Sequence, residues 1–247
     1  MRKCVIDPKF EEFRESLADL HHLKQVVSQA FRREFESLDR LNDLGSPGEI
    51  VSLDAFIFDN PFTGQSEKYA FRKSSVDDLK QLTYWHKNSQ YCWLLMSAYE
   101  KFETFLKFSY SESTGKPPPR DLNTMLCYFS NTFDGIKIRE TKNHFKIDLR
   151  FTIHLVEKMR HSIVHDQGVL HSLEIFTGKI CKDSGINGNK RLYEEFVSQF
   201  VFNSKVFILE VPTNNHPIIK SYHDQYRLLV SYLIAYASLI KDAAWSL

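Results

Sequence analysis

The chain has 247 residues, 43% apolar and 26% charged, with 32 Lys and Arg set against 31 Asp and Glu for a net charge of +1. Such a length and composition suit one compact unit with a full hydrophobic core and exclude a disordered chain. The near-balance of charge excludes a global attraction to nucleic acid and leaves room only for a local basic patch.

In chain order, Asp7-Pro8 reads as an N-cap with proline at the first helical position. Apolar Phe10, Phe13, Leu17, Leu20, Leu23, Val27 and Phe31 then continue a long helix to about Leu44, where Gly45-Ser46-Pro47-Gly48 stops it. From Glu49 to Ser74 the pattern is irregular and reads as an ordered loop with room for a short strand. Ser75 caps a second long helix over about Val76–Tyr110, with a break allowed near Asn88-Ser89. The prolines of Gly115-Lys116-Pro117-Pro118-Pro119 form a stiff connector before a shorter helix over about Asp121–Phe133.

A polar loop over Gly135–Lys146 precedes a helix running from about Asp148 to His165 and stopped by Gly168. Glycines punctuate the stretch from Gln167 to Asn189, Lys205–Val211 has strand composition, and Pro212–Pro217 is a turn region. Tyr222–Trp245 reads as the last helix. Its apolar centre, Tyr226–Ile240, is interrupted by Ser231, Tyr232, Tyr236 and Ser238 and is too short and too polar for a bilayer. The expected fold is mainly α, a helical bundle with a small β-containing insertion before the C-terminal helix. Its parts are an N-terminal helical extension over about 1–74, a core over about 75–168 with 221–247, and an insertion over about 169–220.

Cys4, Cys92, Cys127 and Cys181 are far apart with no paired spacing, which argues against a zinc ribbon or a disulfide scaffold. No apolar run for export follows Met1-Arg2-Lys3. The expectation is a cytoplasmic protein with reduced thiols and no membrane partner.

Chemistry concentrates in Arg160-His161-Ser162-Ile163-Val164-His165, at the end of the helix that Gly168 stops. Arginine is a permanent cation with a planar fork of donors suited to phosphate, and histidine exchanges a proton near neutrality. Glu157, His161 and His165 lie along one helical stripe with His154 close to its line, a spacing that also allows metal ligation. The same residues fit a solvated polar face at a helix C-terminus, where partial negative charge favours His and Arg. Trp85, Tyr91, Trp93 and Tyr99 could stack bases or fill a core, and Lys137, Arg139, Lys142 and Lys146, with His144, could track an RNA backbone or be a solvated loop. No P-loop, dinucleotide-binding loop, nucleophile elbow or kinase set is present.

The run Arg160-His161-Ser162-Ile163-Val164-His165 resembles the signature of the HEPN superfamily, an Arg followed after four to six residues by His, with a polar residue next to the Arg. A second match of the same spacing, Arg139 to His144, carries Glu140 at the polar position and lies in a turn-rich region. The segment Ala98-Tyr99-Glu100-Lys101-Phe102-Glu103-Thr104-Phe105-Leu106 is similar to the early family helix in which an acidic residue precedes aromatic and leucine residues. The resemblance implies a HEPN-like homodimer and a ribonuclease that needs no metal or other cofactor, in some members a toxin with an antitoxin partner or a factor in defence against phage. It also implies RNA as substrate, His165 as general acid or base, Arg160 as the clamp on the scissile phosphate and His161 as an assisting group. Glu100 and Glu157 would support them, and Lys137, Arg139, Lys142 and Lys146 would contact RNA. Side chains five residues apart on a helix point about 140° apart, so Arg160 and His165 need the helix end or a second chain to serve one site. The alternative is a helical interaction or RNA-binding module without catalysis.

Overall fold

The computed structural model describes residues 3–44, 50–188, 190–213 and 221–243. The fold is mainly α, with eight helices among the described residues and three antiparallel strand pairs. In order these are α1 (Lys3–Leu44), β1 (Ile50–Asp59), β2 (Ser66–Ser75), α2 (Val76–Thr114), α3 (Leu122–Thr132), α4 (Asp134–Thr141) and α5 (Leu149–Asp166). There follow α6 (Leu173–Ser184), α7 (Lys190–Ser198), β3 (Val201–Phe202), β4 (Lys205–Val206), β5 (Glu210–Pro212), β6 (Tyr222–Asp224) and α8 (Gln225–Ala243). The small β pairs β3–β4 and β5–β6 precede and abut the C-terminal helix, as expected. Two compact units divide the chain, 1–23 with 91–247 and 24–90.

In the larger unit an aromatic seam joins three helices. Phe13 of α1 stacks on Phe105 of α2 at 5.6 Å and meets Phe102 at 6.3 Å, while Phe102 packs edge-on against Tyr236 of α8 at 6.3 Å. Burying each such ring is worth about 1.5–3 kcal/mol. Helix α5 packs against α6 and α8. Residues 151–156 are enclosed on every side, with Phe151, Thr152, Ile153, Leu155 and Val156 each at 0% exposure, as is Met159 a turn further on. Asp148 caps it by accepting a hydrogen bond from the Phe151 amide at 3.1 Å.

The smaller unit contains the β1–β2 hairpin, in which Tyr69 faces Phe56 and Phe58 across the strands. Its turn is held by Asn60, whose side chain accepts from the Phe62 amide and whose carbonyl accepts from the Gly64 amide. Ser75 and Asp78 form a reciprocal cap at the start of α2, and the two hydrogen bonds from Ser75 hold the Asp78 carboxyl below its ordinary range.

Several expectations are corrected. Helix α1 begins at Lys3 with Pro8 inside it, because Ile6, fully buried, extends the apolar stripe ahead of the proline. The irregular stretch before α2 is a hairpin of two ten-residue strands. Helix α2 runs unbroken through Asn88-Ser89, with the Ser89 hydroxyl turned onto the Trp85 carbonyl. The polar loop expected over Gly135–Lys146 is largely α4, whose N-cap Phe133 has no side-chain capping bond and so carried no start signal. Helix α6 occupies the middle of the glycine-punctuated stretch, with Gly178 inside it, and α7 begins just past its end. Of Lys205–Val211 only the two ends pair as strands, while Phe207, Ile208 and Leu209 are buried core. The predicted stops at 45–48, most of the 212–217 turn and the last residues of the C-terminal helix lie outside the described residues.

Glu140, 3% exposed, accepts hydrogen bonds from Ser130 at 2.5 Å and Tyr236 at 2.7 Å, linking α3, α4 and α8. Burial pushes its carboxyl above the ordinary range, against the pull of those two bonds. The native state therefore binds a proton more readily than the unfolded chain, and stability falls as pH rises from about 4.3 through the folded pKa. Glu140→Gln keeps an acceptor oxygen without the charge. In denaturant titrations across that range, wild type should lose stability relative to the variant as pH rises, and a constant difference between them would remove Glu140 as the cause.

Candidate functional site

Helix α5 leaves the core at its last two turns. Met159 and Ser162 remain buried, whereas His161, Val164, His165 and Asp166 are exposed and Arg160 is partly so. The end is fixed by two successive left-handed residues, Gln167 at φ 53° and Gly168 at φ 78°. The Gly168 amide donates to the Ser162 carbonyl and the Ser162 hydroxyl donates to the Val169 carbonyl, both at 2.9 Å. The Val206 amide then donates to the Gly168 carbonyl at 2.8 Å, docking the exit onto β4.

Arg160 reaches across to α2. Its guanidinium carbon lies 5.8 Å from the centroid of the Tyr99 ring and its Nη2 is 3.7 Å from Glu100 Oε1. Tyr99 is buried, which holds its phenol protonated far above the ordinary range, with the negative charge of Glu157 and Glu103 acting in the same direction. The ring is thus a neutral platform under the guanidinium. His161 and His165, one turn apart, bring their rings to 4.5 Å at an angle of 47°.

Beside this cluster a cleft of about 570 Å³ opens between the end of α5 and α6, lined by Arg160 and His161 on one side and by His171, Phe176 and Lys179 on the other. An ion-pair chain ties its walls together. Lys158 of α5 contacts Asp183 of α6 at 2.8 Å and Glu157 at 3.5 Å, and Glu157 stands 3.4 Å from His154 Nδ1. Burial works to raise the Glu157 carboxyl, but His154 and Lys158 together hold it below its ordinary range. Burial likewise works against the Lys158 charge, yet Asp183 and Glu157 keep its pKa raised.

The sequence-predicted residues are distributed unevenly. Arg160, His161 and Glu157 line the cleft and Glu100 touches Arg160, whereas His165 contacts His161 without lining the cleft. Lys137 and Arg139 lie on α4, Lys142 is its C-cap and Lys146 follows at φ 56°, none of them lining the cleft. Arg139 pairs with Asp242 at 3.2 Å. Of the aromatic group, Tyr91 and Tyr99 are core, while Trp93 is half exposed. Among the described residues no group of three or more His, Cys, Asp and Glu is placed to hold a metal ion, and Cys92, Cys127 and Cys181 form no disulfide. No helix among the described residues is long and apolar enough to cross a membrane. His171, Phe176 and Lys179 were missed; the signal for the last two was the i, i+3, i+4, i+7 stripe that follows the Ser172 cap.

No protein-family model, curated protein or solved structure matches the chain.

Because Gly168 holds a left-handed conformation that a Cβ disfavours, Gly168→Ala should cost about 1–2 kcal/mol. The nearest atom to an added Cβ is Val206 Cβ at 3.7 Å, an ordinary contact, so the cost would be conformational. Thermal unfolding should show a lowered Tm. An unchanged Tm would mean that the α5 exit tolerates another backbone path.

Proposed function

We propose that the protein is a metal-independent endoribonuclease of HEPN type, cytoplasmic and acting as a homodimer. The observation that carries this reading is the juxtaposition at the end of α5. Two exposed imidazoles lie 4.5 Å apart, and the next side chain is an arginine braced by Tyr99 and Glu100 at the mouth of an open cleft.

The chemistry needs three things. A base takes the proton of the ribose 2′-OH as that oxygen attacks the adjacent phosphorus, a cation offsets charge on the phosphorane, and an acid protonates the departing 5′ oxygen. The P–O5′ bond breaks, leaving a 2′,3′-cyclic phosphate and a free 5′-OH. In this reading His165 acts as the acid or base, His161 shares proton transfer or orients the substrate, and Arg160 clamps the phosphate. Glu100 and Glu157 are supporting groups, acting through Arg160 and through the Lys158 chain. A two-fold axis would bring a second copy of the motif to the same groove and remove the angular separation of Arg160 and His165. Lys137, Arg139, Lys142 and Lys146 would then serve as peripheral RNA contacts, and a toxin-type role, whether in a toxin–antitoxin pair or in phage defence, would add an antitoxin protein as partner.

A second reading, a non-catalytic RNA-binding module, is favoured by one observation: Arg160 is engaged by Glu100 of its own chain while His165 stands outside the cleft.

Cleavage of a mixed RNA pool in chelator separates the two. His165→Ala should lower the rate at least about a hundredfold while size-exclusion chromatography shows an unchanged assembly. Arg160→Lys should also impair cleavage, since a point charge does not replace the planar fork. Undiminished cleavage by His165→Ala would end its catalytic role, and an inert wild type would leave the binding module.

A further inference from the structure

We infer that α6 supplies the second wall of the RNA site, so that one unpaired nucleotide enters the α5–α6 cleft with its base against Phe176 and its phosphate between Lys179, His171 and Arg160. This takes RNA as the ligand from the ribonuclease reading; the placement comes from α6 itself.

Helix α6 has two faces of different purpose. Thr177, Ile180, Cys181 and Ser184 are buried and hold it to the core. Ser172, Ile175, Phe176 and Lys179 form the stripe that lines the cleft. Ile175 is 62% exposed, and Phe176 is only partly buried. The core does not account for an aliphatic and an aromatic side chain on a wet stripe. A flat π-face is what a nucleobase stacks on, irrespective of its identity.

The charges fit an anionic ligand more than a metal ion. Lys158, Arg160, Lys179 and Lys182 give four positive charges and Glu157, Asp166 and Asp183 three negative ones, a net of +1 with neutral imidazoles. Glu157 and Asp183 are both engaged by Lys158. Among the described residues the Lys179 and His171 side chains have no ion-pair or hydrogen-bond partner, and so remain available to a ligand. With so modest a local charge, binding draws on stacking as well as phosphate contact. The cleft volume of about 570 Å³ lies within the range of about 300–1,000 Å³ common to small-ligand sites and is ample for one nucleotide.

The experiment is fluorescence anisotropy of a labelled mixed-sequence single-stranded RNA of roughly 12 nucleotides, within the span of known single-strand sites. It uses the full-length chain in chelator, carrying His165→Ala so that the probe survives. Phe176→Leu retains apolar packing without the ring, Lys179→Gln removes the charge, and Ile175→Glu places a carboxylate on the exposed lip. Phe176→Leu and Ile175→Glu should each weaken Kd about tenfold with circular dichroism unchanged. Lys179→Gln should lower the slope of log Kd against log salt by roughly 0.7, the value for one single-strand phosphate contact.

An unchanged Kd in all three variants, with a parent that binds, would overturn the cleft assignment even if wild-type protein cleaves RNA. A parent that does not bind would overturn it equally. Variant-sensitive binding by a protein that never cleaves would uphold the cleft and discard the nuclease.

Discussion

The complete burial of residues 151–156 of α5 is the constraint on which the rest of the larger unit depends. Helices α6 and α8 pack against it, and Phe151, Ile153, Leu155, Val156 and Met159 leave no side facing water. A helix enclosed all round can carry charge only where it emerges. The change from apolar to polar side chains after Val156 thus sets where the enclosed core gives way to the polar cluster.

Placement of the polar turn matters as much as its composition. Arginine has considerable rotamer freedom, and a site that needs its fork in one orientation must restrain it. Tyr99 and Glu100, neighbours on α2, do this from two directions, the ring beneath the guanidinium and the carboxylate at its edge. At 3.7 Å, with Glu100 57% exposed, the ion pair is a weak restraint and not a strong structural bond. The Lys158 chain has a different character: it is half-buried, links α5 to α6 and sets the width of the cleft. The Arg160 and Lys158 neighbourhoods, on one helix turn, therefore do separate jobs, one restraining a guanidinium against α2 and the other tying α5 to α6.

The exit of the helix repeats this economy of means. Ser162 is both the residue whose carbonyl receives the Gly168 amide and the one whose hydroxyl reaches the Val169 carbonyl, so a single buried serine closes the helix and directs the chain toward β4. His171 and the start of α6 are placed by that exit. The mostly helical insertion after α5 thereby borders the polar cluster and becomes part of its environment.

Much of this was legible in the residues. The long helices, the helix from about Asp148, its stop at Gly168 and the isolation of Arg160, His161 and His165 follow from local signals, namely periodicity and a helix-stopping glycine. Helix α4 was not legible, because Phe133 offers no capping side chain; α6 carried a signal in its Ser172 cap, masked by Gly178 inside it, and buried Phe207–Leu209 has strand composition without strand pairing. Nor could spacing reveal that Lys137, Arg139, Lys142 and Lys146 are not cleft residues, or that the stripe carrying Phe176 and Lys179 faces Arg160. The sequence by itself determined which side chains exist on which helical stripe. Only the tertiary structure decided that Tyr99 and Glu100 meet Arg160 and that α6 faces it, because contacts between residues far apart in the chain are set by how buried faces pack, and that packing is a property of the whole core.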